Sequence, residues 1–297
     1  MLLQSGQLLS SAGTQSTAIA YPLLVLGLTG SAAKAGAVAF ARTLPLALFA
    51  LPSGVAADRW NRKWLMIGAD AIRVVAIGTL AVAIVAGSIP FWAIALVAFV
   101  EGAGAALFST AHAGALRAVV RVPQFPAAAA AQAGREAAVR IAGPPLGGTL
   151  FGIARALPFL VDAASYAFSF LSVLAMRTPF QEAREVDLSA LRSRVAEGFR
   201  FLWSQPFLRT CALLFGLANF LGPGLLLAVV VIGTRQGLSG GEVGVLVAAF
   251  GVCVLLGSFL SPLVRRALPI RESYCSSSGR GSGALCSSSG PTSTCSQ

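Results

Sequence analysis

Charge is scarce in this sequence. Only 11% of its 297 residues are charged, against about 25% in a typical soluble domain. A soluble core of this length needs a polar shell, and too few polar residues are present to build one. Acidic residues are fewer than basic ones, 11 Asp and Glu against 22 Lys and Arg, and there is a single histidine, His112. One histidine and scattered acids make no metal cluster and no convergent nucleophile, so neither a metal nor another cofactor is expected, and the chain does not read as an enzyme. No G-x-x-x-x-G-K-[ST] stretch occurs, which argues against an ATP-driven pump in this chain. Of five cysteines, Cys211 and Cys253 lie in apolar runs and read as small buried residues. Cys275, Cys286 and Cys295 stand in the tail at spacings unlike a zinc site. No basic stretch precedes the first apolar run, so no cleavable signal peptide is read.

What the sequence has in abundance is apolar length. Hydrophobic residues make up 56%, and the mean hydropathy is +0.78. A spanning helix needs about 20 mostly apolar residues. Eight such runs are expected, at 6–29, 36–56, 64–87, 90–112, 126–153, 157–177, 207–233 and 241–264. They are too long and too evenly apolar for the strands of a membrane barrel. The class is therefore an all-α polytopic membrane protein. The net charge of +11 sits in short gaps between these runs. That pattern reads as membrane topology, with no nucleic-acid partner.

Most basic residues fall on one side: Arg59, Arg62, Lys63, Arg117, Arg121, Arg177, Arg184, Arg192, Arg194, Arg200, Arg209, Arg265 and Arg266. The other side has Lys34, Arg155 and Arg235. The bias predicts a multi-pass protein of a bacterial-type cytoplasmic membrane, with its N-terminus in the cytoplasm. Within 178–206, Leu188, Leu191, Val195, Phe199 and Leu202 recur at helical spacing, as in an amphipathic helix lying along the inner membrane surface. The expected organisation is a six-helix bundle at 1–177, a cytoplasmic linker at 178–206, two further spans at 207–265 and a Ser/Gly-rich tail at 266–297. The tail has the composition of a disordered segment.

The stretch GVAADRWNRK, 54–63, gathers charge between the second and third runs. Its spacing, G-x-x-x-D-R-x-x-R-K, resembles the cytoplasmic loop signature of the major facilitator superfamily. The resemblance implies that Gly54 packs two helices closely. It also implies that Asp58, Arg59, Arg62 and Lys63 form a charge network gating the cytoplasmic side. A purely topogenic basic loop is the plainer alternative. RIAGPPLGG, 140–148, is similar to the fifth-span signature of the antiporter branch, with Arg140, Gly143, Pro144, Gly147 and Gly148 in place and Val139 where a further Gly is usual. Generic packing of small residues is the alternative there. PFLVDAASYAFSFLS, EGFRFLWSQPFLRT and EGAGAALFSTAHAGALRAVV resemble the macrolide-efflux and enterobactin-exporter-like permeases. Departures are Thr110 in place of Pro, His112 in place of a basic residue, and Thr14 where an acid is common.

The resemblance covers roughly 4–270. It implies a major facilitator helix bundle, with a complete N-terminal half and two helices of the second half. It also implies proton-coupled export of a small amphipathic molecule, whether drug, macrolide or siderophore-like. The implied partners are that substrate, protons and the lipid bilayer. Twelve spans are usual in the family, so the chain is expected to be truncated after the eighth. A native tail and a shifted reading frame both give such an ending. The rival function is a transport-incompetent fragment of such a permease.

Ionisable residues inside spans are functional candidates by default. Glu101, near the middle of the fourth run, is the first candidate for a coupling acid, with a structural partner on another helix as the alternative. Arg42 and Gln15 are the other polar candidates for a substrate cavity. Asp70 and Arg73, three apart on one helix face, are expected to neutralise each other. Glu136 and Arg140, four apart with Arg135 beside them, are expected to do the same. Asp70, Arg73, Glu136 and Asp162 stand beside Glu101, Arg42 and Gln15 as candidates for the proton or substrate site; Asp162 also reads as a helix-start residue following Pro158, and His112 as an interfacial residue. Ser10, Thr14, Thr17 and Tyr21 form a polar stripe that suits either an aqueous cavity or interhelical hydrogen bonds.

Overall fold

A computed structural model describes residues 2–87, 89–119, 125–176, 197–249 and 251–253. The tail, residues 178–196 of the linker and the end of the eighth run lie outside them. Nine helices are named here. They are α1 (Leu2–Thr29), α2 (Ala32–Leu48), α3 (Ala50–Arg59), α4 (Arg62–Ala86), α5 (Phe91–Val119), α6 (Phe125–Ile153), α7 (Leu157–Ala175), α8 (Pro206–Arg235) and α9 (Gly240–Cys253). No strand occurs among the described residues. The all-α bundle expected from the apolar runs is what forms.

Local chemistry sets the helix ends. Asn61 caps α4, its side chain accepting from the Lys63 N–H at 2.9 Å. Gly87, at φ 74°, closes α4 in the left-handed conformation that a side chain disfavours. Pro158 occupies the first turn of α7, where no N–H is needed. The second apolar run differs from the single span expected. It breaks at Phe49 into α2 and α3. The cause is Pro52, which has no N–H to offer the Leu48 carbonyl and whose ring crowds it.

The long helix α1 is central, lying along α7 and α6, while α4 packs on α5 and α7, and α2 on α5. One core joins Tyr21, Leu24, Val38, Ile77, Ile94, Phe159 and Tyr166, and a second joins Met66, Ile67, Phe108 and Val173 nearer the Trp60–Asn61 turn. A third, of Ile19, Leu23, Val230, Val243 and Val247, ties α8 and α9 to α1. The outward faces remain apolar: Val75, Val82 and Val85 on α4 are exposed, as is most of α8. In water such faces would demand partners. Around a spanning bundle they meet lipid.

Four helices, α4, residues 91–114 of α5, α7 and α8, are long and apolar enough to cross a membrane. At 25 residues α4 is about 37 Å long, against a hydrocarbon core of about 30 Å. The described parts of the other expected spans are helical but carry more small and polar residues. Exposed tryptophans stand near both ends of the bundle, Trp60 and Trp64 at one and Trp92 at the other. Trp at both ends fits the two membrane interfaces.

One expectation about burial is corrected. Cys211 and Cys253 are exposed rather than buried; a thiol behaves as a small apolar group and is at home on a lipid-facing surface. His112 is buried against its neighbours, stacked on Phe108 with ring centroids 5.9 Å apart. Of the amphipathic linker helix, residues 197–204 are described and helical, with Phe199 stacked on Trp203 at 5.3 Å.

Candidate functional site

Inside the apolar bundle, five helices converge on a cluster of charges. Arg42 of α2 reaches Glu101 of α5, donating from Nη2 at 2.7 Å and from Nε at 3.2 Å to the same oxygen, Oε1. Nη2 also donates to the Thr14 carbonyl of α1 at 3.0 Å. The Glu101 side chain is 1% exposed. A carboxylate so deep requires a cation, because desolvating an unpaired ion is costly. The close approach of α2 and α5 depends on Gly102. A Cβ there would run into the Arg42 backbone carbonyl.

Arg73 of α4 pairs with Asp70 one turn earlier at 3.4 Å, as their spacing predicts. The same guanidinium lies 4.0 Å over the ring of Tyr166 from α7. The Tyr166 hydroxyl shares a hydrogen bond with Thr14 Oγ1 at 2.7 Å and lies 3.5 Å from Glu101 Oε1. Tyr166 thus touches the Arg73 side of the cluster with its face and the Arg42–Glu101 side with its hydroxyl.

Asp162, one of the candidate site residues, is not the helix-start residue expected from Pro158. The start of α7 is at Leu157, and the Asp162 carboxylate is fully buried. It accepts from Thr17 Oγ1 at 3.0 Å. Only glycine fits opposite it on α1: a Cβ on Gly13 would come within 2.5 Å of Asp162 Oδ1. The one available signal was an acid in the same helical stripe as Ser165, Tyr166 and Ser169, all buried. The polar stripe of α1 faces this cluster, with Thr14 and Thr17 spent on interhelical bonds.

The charged turn lies away from the cluster. Arg62 donates to the Ala57 and Gly114 carbonyls, each at 3.1 Å, tying the turn to α5. Lys63 Nζ donates to the Leu174 and Met176 carbonyls, at 3.1 and 2.5 Å. It thereby caps the C-terminus of α7, where a cation is favoured. Arg59 is exposed, and a Cβ on Gly54 would meet nothing within 4 Å among the described residues. For Asp58 only its place in α3 is described.

The GPPLGG stretch lies between two neighbours. A Cβ on Gly143 would meet the Gln15 side chain, and one on Gly147 the Ser16 backbone, both on α1. On the other side a Cβ on Gly148 would meet the Gly240 backbone of α9, and Gly244 faces Pro144. The small-residue face of α9, Gly240 with Gly244, is a counterpart the sequence reading did not find. Its signal was the Gly-rich spacing in SGGEVG. Glu136 accepts from Gln132 at 3.1 Å, and Glu136 and Arg140 are both exposed. No ion pair joins those two among the described residues, so the four-residue spacing is not used as expected. No group of three or more metal-ligating side chains occurs among the described residues.

Known proteins share this sequence pattern. A family described as transmembrane secretion effector matches residues 2–276. The multidrug efflux pump Tap of Mycolicibacterium fortuitum is 30% identical over 227 residues, covering 72% of this chain and 54% of its own. The protein of the same name from Mycobacterium tuberculosis strain ATCC 25618 / H37Rv is 30% identical over 228 residues, covering 72% and 53%. The chain spans about half the length of these curated relatives.

Proposed function

We propose, from the premise that the chain belongs to the transmembrane secretion effector family of major facilitators, that it serves proton-coupled export of a small amphipathic molecule. The observation that carries this reading is the Arg42–Glu101 pair, held with Asp70, Arg73 and Asp162 inside an apolar bundle. Such a cluster is expensive to bury, and a purely structural bundle has no need of it. The relatives' printed name, multidrug efflux pump, supports the direction of transport.

In this reading the Arg62–Lys63 turn faces the cytoplasm with the N-terminus. Its bonds to the Gly114, Leu174 and Met176 carbonyls hold the cytoplasmic ends of α5 and α7. The α6–α9 contact through Gly148 and Gly240 is the seal toward the other side. The buried cluster around Glu101 and Arg42 is the region offered to proton and substrate, and Gln15 lies against Gly143 of α6.

Inverted membrane vesicles containing the chain test the reading. An imposed inside-acid gradient should drive uptake of a cationic amphipathic dye, and a protonophore should abolish it. Dye uptake that ignores the protonophore would sink proton coupling. The absence of uptake by a folded chain would favour the second reading, a transport-incompetent piece of such a permease.

A further inference from the structure

Five charged groups meet in the buried cluster, and they do not balance. Asp70, Glu101 and Asp162 face Arg42 and Arg73. With every group ionised, one negative charge is left over in the interior of an apolar bundle. One bound proton removes it.

The hydrogen bonds say where that proton fits. Glu101 and Asp70 each have an arginine within ion-pair distance, whereas among the described residues Asp162 has none. Its carboxyl meets only hydroxyls, Thr17 at 3.0 Å and Ser165 at 3.4 Å. Each hydroxyl has a single hydrogen to give. Thr17 Oγ1 also stands 3.0 Å from the Thr14 carbonyl, and Ser165 Oγ stands 2.7 Å from the Asp162 carbonyl. An ionised Asp162 would compete with backbone oxygens for both hydrogens. A proton on Asp162 Oδ2 reverses the Thr17 bond: Oδ2 donates to Oγ1, and the Thr17 hydrogen serves the Thr14 carbonyl.

The two rival acids differ in that each is paired with an arginine. Glu101 Oε1 is occupied by Arg42, and its Oε2 is buried with no partner. Asp70 Oδ2 is likewise buried and bare. A proton on either would discharge the carboxylate that its arginine is paired with and leave that buried cation uncompensated.

The surroundings supply no further counter-charge. Helix α1 brings no charged residue to Asp162. From α4 come Asp70 and Arg73, from α5 Glu101 and from α2 Arg42, all within electrostatic reach or paired as described. On α6, Glu136 and Arg140 are exposed and Arg135 lies near His112. The buried tyrosines Tyr21 and Tyr166 complete the wall.

We propose that Asp162, rather than Glu101, holds the exchangeable proton of this cluster, while Glu101 remains the ionised partner of Arg42. Its role as the coupling proton rests on the exporter reading; its location does not. When the proton leaves Oδ2, the cluster keeps a carboxylate and one uncompensated negative charge. That charge draws on Arg73, whose buried Nε has no partner and whose guanidinium is stacked on Tyr166. Movement of Arg73 toward Asp162 would loosen α4 from α7, so proton release and helix packing are linked through one side chain.

Infrared spectroscopy of the 297-residue protein in lipid nanodiscs tests this. At neutral pH a carbonyl-stretch band of a protonated carboxylic acid is expected. It should shift when aspartate is labelled with carbon-13 at its carboxyl, stay put when glutamate is labelled, and move in D2O. Asp162→Asn, a neutral isostere that should fold at least as well, should delete it, and Asp187→Asn should keep it. A band that follows the glutamate label, survives in Asp162→Asn or is missing from the wild-type protein overturns the proposal. The labels decide between Asp and Glu even if the variant fails to fold. If the band behaves as expected but vesicles show no proton-driven export, the exporter reading falls and the placement of the proton stands.

Discussion

Arg42 spends two of its donors on one oxygen of Glu101 and a third bond on the Thr14 carbonyl. Removing that arginine strands a carboxylate that is 1% exposed. Arg42→Ala is expected to destabilise the bundle by about 3–5 kcal/mol, the usual cost of breaking one side of a buried pair. Adding Glu101→Gln to that variant should restore much of the loss, since the stranded charge is then gone. Thermal unfolding in detergent of the two single variants and the double variant measures this. Equal melting temperatures for Arg42→Ala and the double variant would show that the pair is not coupled. The sequence displayed both residues as ionisable groups in apolar runs and allowed Glu101 a partner on another helix, without saying that the partner is Arg42. The Asp70–Arg73 pair was legible because one helix sets its geometry. Arg42 and Glu101 lie on different helices, and their meeting depends on how α2 and α5 cross.

At the level of elements, close approach through missing side chains decides how the helices pack. Gly148 and Gly240 bring the α6 and α9 backbones together, whereas a Cβ on Gly152, one turn along α6, meets open space. Gly148→Val is therefore expected to cost about 1–3 kcal/mol as an overpacked contact. Gly152→Val should be near neutral. A melting temperature lowered in the first and unchanged in the second checks this, and equal effects would show that helix propensity, not the contact, is what changed. The GPPLGG motif was visible in the sequence, but its partners were not. A small-residue stripe shows that some helix comes close, without saying which one. Only the packed bundle shows Gly143 and Gly147 against α1 and Gly148 against α9. The break of the second run at Phe49 was in principle readable from Pro52, whose effect on the preceding turn is local.

For the whole molecule, the charged turn and the exposed tryptophans give the bundle two unlike ends. If the Trp60–Asn61 end is cytoplasmic, a cysteine replacing Asn61 in a cysteine-free background should resist an impermeant thiol reagent in intact cells. One replacing Gln236, at the end of α8 among Arg235 and Gly237, should react. Labelling of the first but not the second would invert the proposed topology. The native cysteines must be removed because Cys211 and Cys253 are exposed. By itself the sequence determined the solvent and the helices. Low charge and long apolar runs leave helices in a bilayer as the way to satisfy the backbone, and period, caps and prolines act within a few residues of themselves. The tertiary structure alone decided which buried groups are partners. Asp162 looked like a helix start because Pro158 precedes it, yet it lies inside the bundle against Thr17, with both arginines taken by other acids. Charge balance in a low-dielectric interior is a property of all the helices that meet there, and no single stretch of chain contains that sum.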